Sequence, residues 1–213
     1  LMMSILLRPP PGTLSPNSAS LISSALAISA LAAVEEVANI QLEVKWPNDL
    51  VVDSPDLILD KGDPGYRKVA GILTESLIQQ NQIEALVVGI GMNTGWGQVP
   101  PDLHLIATSL DVLAGSSVDR SQLAHNLLEN FEAEYVGLFE PSGIENLLKR
   151  LREHSATLGR RVLVHMNQGG ETNPLEGQAI DIDESGRLLV KFDSGDTRAV
   201  AVADVEHLRL QAR

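Results

Sequence analysis

Between Thr13 and Val34 the chain carries no charged side chain, and any fold it adopts must accommodate that stretch. A membrane span is one solution, but a span needs about 20 predominantly apolar residues. Here Pro16, Asn17 and six serines interrupt the run, and Glu35 and Glu36 follow it at once. The better solution is a helix from about Ser18 to Ala38, with N-cap candidates among Ser15 to Ser18. Its apolar residues occupy most faces, so it should lie in the core of a soluble protein. No membrane association is expected, and Arg8 with Pro9-Pro10-Pro11 interrupts any signal-peptide pattern at the start.

Around that helix the pattern alternates between strands and turns. Residues 2–8 (MMSILLR) read as a strand closed by prolines that cannot donate to a ladder. The chain opens on Leu1 inside an apolar run, which reads as a strand entered part-way. Short strands are expected at about Leu42–Lys45 and Leu50–Asp53, then a polar loop over 54–67 with Pro55, Gly62, Pro64 and Gly65. Longer strands follow at Val69–Ile78 and Ile83–Met92, joined by a turn short enough for a hairpin. Leu86-Val87-Val88 suits a strand buried on both faces.

After an irregular stretch at Gly95–Pro101, a short helix is expected at Ala107–Leu113. Leu123, Leu127, Phe131 and Tyr135 then fall at successive i,i+4 positions, the stripe of an amphipathic core helix. Another helix runs from about Ile144 to Ala156.

From Gly159 the texture changes to short strands (Arg161–His165, Glu176–Ile182, Leu188–Phe192, Arg198–Val202, Val205–Leu210) with glycine-bearing turns. That spacing suggests a small barrel or sandwich. We expect two domains, 1–156 and 157–213.

Charge and residue types exclude several kinds of chemistry. A net charge of −12 argues against a nucleic-acid footprint, which needs clustered Lys and Arg, although a local cationic pocket for a nucleotide remains open. The absence of cysteine removes disulfides, thiolate metal sites and thiol nucleophiles, and suits a cytoplasmic location. Five scattered histidines show no metal-ligand spacing, so no metal site is expected.

Three segments can carry a ligand: Lys45-Trp46-Pro47-Asn48-Asp49, Lys68-Val69-Ala70-Gly71-Ile72-Leu73 and Gly89-Ile90-Gly91-Met92-Asn93. Glycine inside a strand costs stability, so it often marks the close approach of a ligand or of another backbone. Gly89 and Gly91 do not make a dinucleotide-binding loop. The third glycine position holds Thr94, and Trp96, Pro100 and Pro101 stand where a helix should open. Each segment also has a plain reading: Lys45 as a solvated lysine, Pro47-Asn48-Asp49 as a turn, Gly71 as a bulge. The residues alone support an α/β enzyme-like domain with a small β domain.

Taken together and in this order, the three segments resemble those of biotin–protein ligases. Residues 45–49, 68–73 and 89–93 match the family's strings, 2–8 resembles the strand before its long helix, and Val202–Arg209 is similar to the close of its small C-terminal barrel. The resemblance implies an α+β fold, a mixed sheet with packed helices followed by a small SH3-like β-barrel. It implies an ATP-dependent ligase that converts biotin to biotinyl-5'-AMP and then biotinylates a lysine of a biotin carboxyl carrier protein domain. Mg²⁺ is expected with ATP, held mainly by the phosphates.

By resemblance Lys45 is the catalytic cation, touching the biotin carboxylate and the α-phosphate. Gly89 and Gly91 would let the backbone lie against biotin, with Leu50 and Gly71 also lining its pocket. Asn93 would read adenine. Trp46 is expected in the core, and Asn48 and Asp49 are expected to hold the turn that aims Lys45. The family's glycine- and arginine-rich loop, upstream of the strand matched by 2–8, does not occur in these residues. The alternatives are a lipoate–protein ligase of the same fold and a non-catalytic biotin-binding remnant. Homodimerisation, common in the family, is left open by the sequence.

Overall fold

The computed structural model describes residues 1–10, 12–53, 65–80, 82–96, 103, 105–165, 174–200 and 204–207. The uncharged stretch forms a helix, α1 (Ser20–Ala38), preceded by a 3-10 turn at Pro16–Ser18 and closed by Asn39 in a left-handed conformation. Asparagine tolerates that conformation at a helix end. Although α1 is long and apolar enough to cross a membrane, most of it is buried inside the protein. Its buried serines need partners. Ser24 and Ser29 donate to the carbonyls of Ser20 and Ala25, one turn back.

α1 packs on one face of a five-stranded sheet made of β1 (Met2–Leu7), β2 (Glu43–Lys45), β3 (Asp49–Asp53), β4 (Tyr66–Gln79) and β5 (Gln82–Met92), in the order β1-β5-β4-β3-β2. Named strand pairs in this sheet are antiparallel; among the described residues the parallel element consists of the single bridges Val44–Ser155 and Lys68–Ala107. Alternation along β4 and β5 sends Ala70, Ile72, Leu86, Val88, Ile90 and Met92 into the core. It turns Gly71, Leu73, Gly89 and Gly91 to the opposite face. The run Leu86-Val87-Val88 is therefore not buried on both faces. Val87 lies opposite Leu6 and Glu75 and is 37% exposed, because the helices cover only one side of this part of the sheet.

The remaining helices are α2 (Leu110–Ala114), α3 (Arg120–Gly137) and α4 (Gly143–Glu153). The stripe Leu123, Leu127 and Phe131 is buried, and Tyr135 packs edge-on against Phe139. Asp119 caps α3 by accepting from the backbone N–H groups of Ser121 and Gln122. α2 starts three residues later than the sequence suggests, since residues 107–109 run beside β4 instead.

A second antiparallel sheet holds β6 (Arg161–His165), β7 (Leu175–Ile182), β8 (Leu188–Phe192), β9 (Thr197–Val200) and β10 (Asp204–His207), in the order β10-β6-β7-β8-β9. It is the SH3-like unit. The turns expected at Gly169-Gly170 and within 54–64, and the stretch 97–102, lie outside the described residues. Tyr66 and Arg67, expected in the loop, already belong to β4.

Candidate functional site

Strand register assembles the site. Lys45 pairs with Asp49, Asp49 with Gly71, Gly71 with Gly91, and Gly91 with Met2. Directly opposite residues share a face, so one cross-strand row brings a lysine, a carboxylate and two glycines to the side of the sheet away from α1. The next row holds Ser4, Gly89 and Leu73. Between these rows lies an open depression of about 280 Å³ lined by Met2, Met3, Ser4, Gly71, Leu73, Gly89, Ile90 and Gly91. A Cβ on Gly91 would meet nothing within 4 Å, and one on Gly89 would come within 3.3 Å of Ser4 Oγ. These glycines bare the strand backbone toward the depression.

Lys45 ends β2 and is only 9% exposed. Its Nζ lies 5.7 Å from the centre of the Tyr66 ring, within cation–π reach. The turn that follows is fixed on both sides. Asn48 donates its amide Nδ2 to the carbonyl of Ile72 at 2.8 Å and accepts from the Ile72 N–H with its own carbonyl, also at 2.8 Å. The Trp46–Pro47 peptide bond is cis. Trp46 is buried in the core, its backbone N–H donating to Thr157 Oγ1 and its indole Nε1 to the carbonyl of Gly186, each at 3.0 Å. The turn carrying Lys45 thus rests on the β7–β8 turn of the second sheet.

Asp49 pairs with Lys68, Nζ to Oδ1 at 2.5 Å, with side-chain exposures of 44% for the lysine and 22% for the aspartate. Lys68 Nζ would stand 2.9 Å from a Cβ on Gly71. Its ammonium therefore lies over the bare Cα of Gly71. Neither this pair nor the contributions of Ser4, Leu73 and Tyr66 follow from motif spacing. They depend on which strands are neighbours and on a register shift between Leu50 and Val51.

Leu50 departs from the expectation that it lines the depression. It has no exposed surface, lies opposite Ala70 and packs in the core on the helix side, since alternation turns it away from Asp49. Asn93 sits just beyond β5, its N–H bonded to the carbonyl of Val69 and its side-chain Nδ2 to the carbonyl of Thr108 at 3.1 Å. An amide carries two N–H donors and an oxygen, so Thr108 takes part of that capacity.

Two family models match the chain: the biotin/lipoate A/B protein ligase family over residues 1–93 and the biotin protein ligase C-terminal domain over 157–208. The chain belongs to the biotin protein ligase family. The bifunctional ligase/repressor BirA of Bacillus subtilis (strain 168) is 27% identical over 206 residues, covering 96% of this chain and 57% of that protein. The biotin--[acetyl-CoA-carboxylase] ligase of Paracoccus denitrificans is 26% identical over 200 residues, 90% of this chain and 73% of its own length. The biotin protein ligase from Aquifex aeolicus in complex with biotin and ATP has the same fold. It superimposes with a TM-score of 0.75 at 22% identity, over 97% of this chain and 78% of that structure. The chain thus spans little more than half the length of the BirA relative.

Proposed function

We propose that this chain carries the ligase part of a protein that activates biotin with ATP and transfers it to a lysine of a biotin carboxyl carrier protein domain. The observation that carries the reading is the row in which Lys45, Asp49, Gly71 and Gly91 share a sheet face, its two glycines lining an apolar depression. The bicyclic end of biotin is flat and largely apolar, so bare strand backbone beside apolar side chains suits it. The nearby lysine suits its carboxylate.

In the first step a carboxylate oxygen attacks the α-phosphorus of ATP. The bond from that phosphorus to the bridging oxygen breaks, and pyrophosphate leaves with the electron pair. Two anions must meet, and in a site of low effective dielectric their repulsion is large. The Lys45 ammonium, itself nearly enclosed, offsets that repulsion and the charge that builds on the phosphoryl oxygens. In the second step the neutral amine of the carrier lysine attacks the acyl carbon of biotinyl-5'-AMP. An amide forms, AMP leaves with the bonding electrons, and the amine gives up one proton.

Gly89 and Gly91 would lie against the biotin rings, with Gly71 beside them, and Asn93 would read the adenine edge with its remaining amide groups. Leu50 would support β3 from the core. Among the described residues no group of three or more carboxylate or histidine side chains is arranged to hold a metal ion. Mg²⁺ enters this scheme with the substrate, carried by the phosphates of ATP. A cytoplasmic location suits a chain without cysteine, and residues 1–156 and 157–213 are taken as its two structural units.

The test is calorimetric titration of the chain with a non-hydrolysable biotinyl-adenylate analogue, its lipoyl counterpart, and Lys45→Ala alongside. The reading requires saturable binding that prefers the biotinyl compound. Lys45→Ala should weaken it by at least tenfold, the scale of a lost charge-assisted hydrogen bond of about 1.5–3 kcal/mol. A folded chain that prefers the lipoyl compound, or binds neither, would overturn it.

A further inference from the structure

We infer that Lys68 is a second substrate-binding cation, which holds the phosphate of the acyl-adenylate and rests on Asp49 while that anion is absent. The inference deepens the proposed function and rests on it.

Two lysines flank one carboxylate on the same sheet face. Lys45 lies directly opposite Asp49 in the β2–β3 pair, and Lys68 reaches Asp49 Oδ1 at 2.5 Å from the β4 side. The Lys68 side chain is partly exposed, and its ammonium is folded back over Gly71, 2.9 Å from where a Cβ would stand; Gly71 itself lines the depression. The space above Gly71 thus serves the lysine as much as the ligand.

The backbone of Lys68 is fixed at the same time. Its N–H donates to the carbonyl of Ile106 at 2.8 Å and its carbonyl accepts from Thr108 N–H at 2.9 Å. Asn93 is tied to the same spot: its N–H bonds Val69, the next residue, and its side chain bonds Thr108. An acyl-adenylate is linear, with acyl group, phosphate, ribose and base in that order. The bared glycines Gly89 and Gly91 mark the acyl end, and Asn93 marks the base end in the proposed function. Lys68 is rooted on β4 next to Val69, to which Asn93 is bonded, and its ammonium folds back over Gly71, level with Gly91. It therefore flanks the path from the glycines to Asn93 that the phosphate has to cross.

The charges agree with that position. A single ammonium cannot balance both a carboxylate and the phosphate it attacks, and a partly exposed ion pair exchanges readily because water screens it. Lys68 can therefore leave Asp49 for an arriving phosphate, and Asp49 takes it back when the product departs. No proton or covalent bond moves in this exchange. A lysine is suited to it, being a compact charge on a flexible stem.

The test titrates three forms of the full chain, unaltered, Lys68→Gln and Lys68→Arg, with biotin alone and with biotinol-5'-AMP, which keeps the phosphate but cannot transfer its acyl group. Melting curves confirm that each variant is folded. The expected result is binding of biotinol-5'-AMP about tenfold weaker in Lys68→Gln. Biotin binding should be unchanged, and most of the lost affinity should return in Lys68→Arg. The salt dependence of binding should also be shallower in Lys68→Gln, because one phosphate contact is missing.

Equal weakening of both ligands would make Lys68 a strut for Asp49 and overturn the inference, as would unchanged binding of both. Failure of the unaltered, folded chain to bind either ligand would bring down the ligase reading, and the inference with it. Normal binding by the unaltered chain with no selective loss in Lys68→Gln would bring down the inference alone.

Discussion

The indole Nε1 of Trp46 donates to the carbonyl oxygen of Gly186 at 3.0 Å, across 140 positions of sequence. Trp46 directly follows Lys45, and Gly186 sits in the β7–β8 turn, so a buried hydrogen bond links the turn after Lys45 to the second sheet. The same joint includes Ser20 Oγ donating to the carbonyl of Ser185 at 2.8 Å, and the Trp46 backbone N–H donating to Thr157 Oγ1 at 3.0 Å. The two units are coupled at the point where chemistry is proposed.

Replacing Trp46 by Phe keeps an aromatic ring but leaves the Gly186 carbonyl without this donor. A buried polar group stripped of its partner costs about 1–3 kcal/mol. Urea unfolding of Trp46→Phe should show a loss of that size, together with weaker adenylate-analogue binding because the Lys45 turn loses its rest. Unaltered stability would mean that the bond contributes nothing net.

Two glycines separate ligand space from packing space. At Gly91 a Cβ enters open space, so Gly91→Ala should change stability by no more than about 0.5 kcal/mol. Biotin binding should nevertheless fall tenfold or more, since the methyl group would stand in the depression. At Gly177 a Cβ would lie 2.7 Å from the carbonyl oxygen of Lys191 and 3.0 Å from the Cα of Phe192, both backbone atoms that cannot step aside. Gly177→Ala should therefore destabilise by about 1–3 kcal/mol through overpacking. Thermal melts paired with biotin titration check both, and a destabilised Gly91→Ala with normal binding would reverse the assignment.

Asp183 organises the turn that receives Trp46. Its carboxylate accepts from the N–H groups of Ser185 at 2.9 Å and Arg187 at 3.0 Å, and from Arg187 Nε at 2.7 Å. Burial alone would raise its pKa, but the Arg187 side chain and these backbone donors outweigh burial and hold it below the ordinary 3.8. A carboxylate depressed in the folded state stabilises above its unfolded pKa, and that contribution is lost as pH falls through the folded value. Asp183→Asn should thus be less stable by about 1 kcal/mol at pH 7. The gap between variant and parent should close as pH drops below 3.8. A gap independent of pH would show that the carboxylate's charge does not matter to the turn.

Much of the scaffold could be read from local pattern. The uncharged run reads as a buried helix because Pro16, Asn17, its serines and the following Glu35-Glu36 suit a core better than a membrane, and Ser24 and Ser29 satisfy their hydroxyls one turn back. The stripe from Leu123 to Phe131 needed only helical periodicity. Strand ends fell within a few residues of expectation because glycine, proline and the change of period mark them locally. Leu50 and Val87 show the limit of that reading. Each is an apolar residue in a strand, and only the position of the helices relative to the sheet decided that Leu50 is core and Val87 is not.

The sequence by itself determined the family, the order of elements and the three segments that form the candidate site, because those depend on residue identity and short-range spacing. Tertiary structure alone decided that Lys45, Asp49, Gly71 and Gly91 form one row, that Lys68 folds over Gly71 onto Asp49, and that Trp46 rests on Gly186. The reason is physical: a strand's side chains alternate with period two, so a single shift in register, such as the one between Leu50 and Val51, reverses which residues meet on a face. Register is a property of the assembled sheet, and no single strand encodes it.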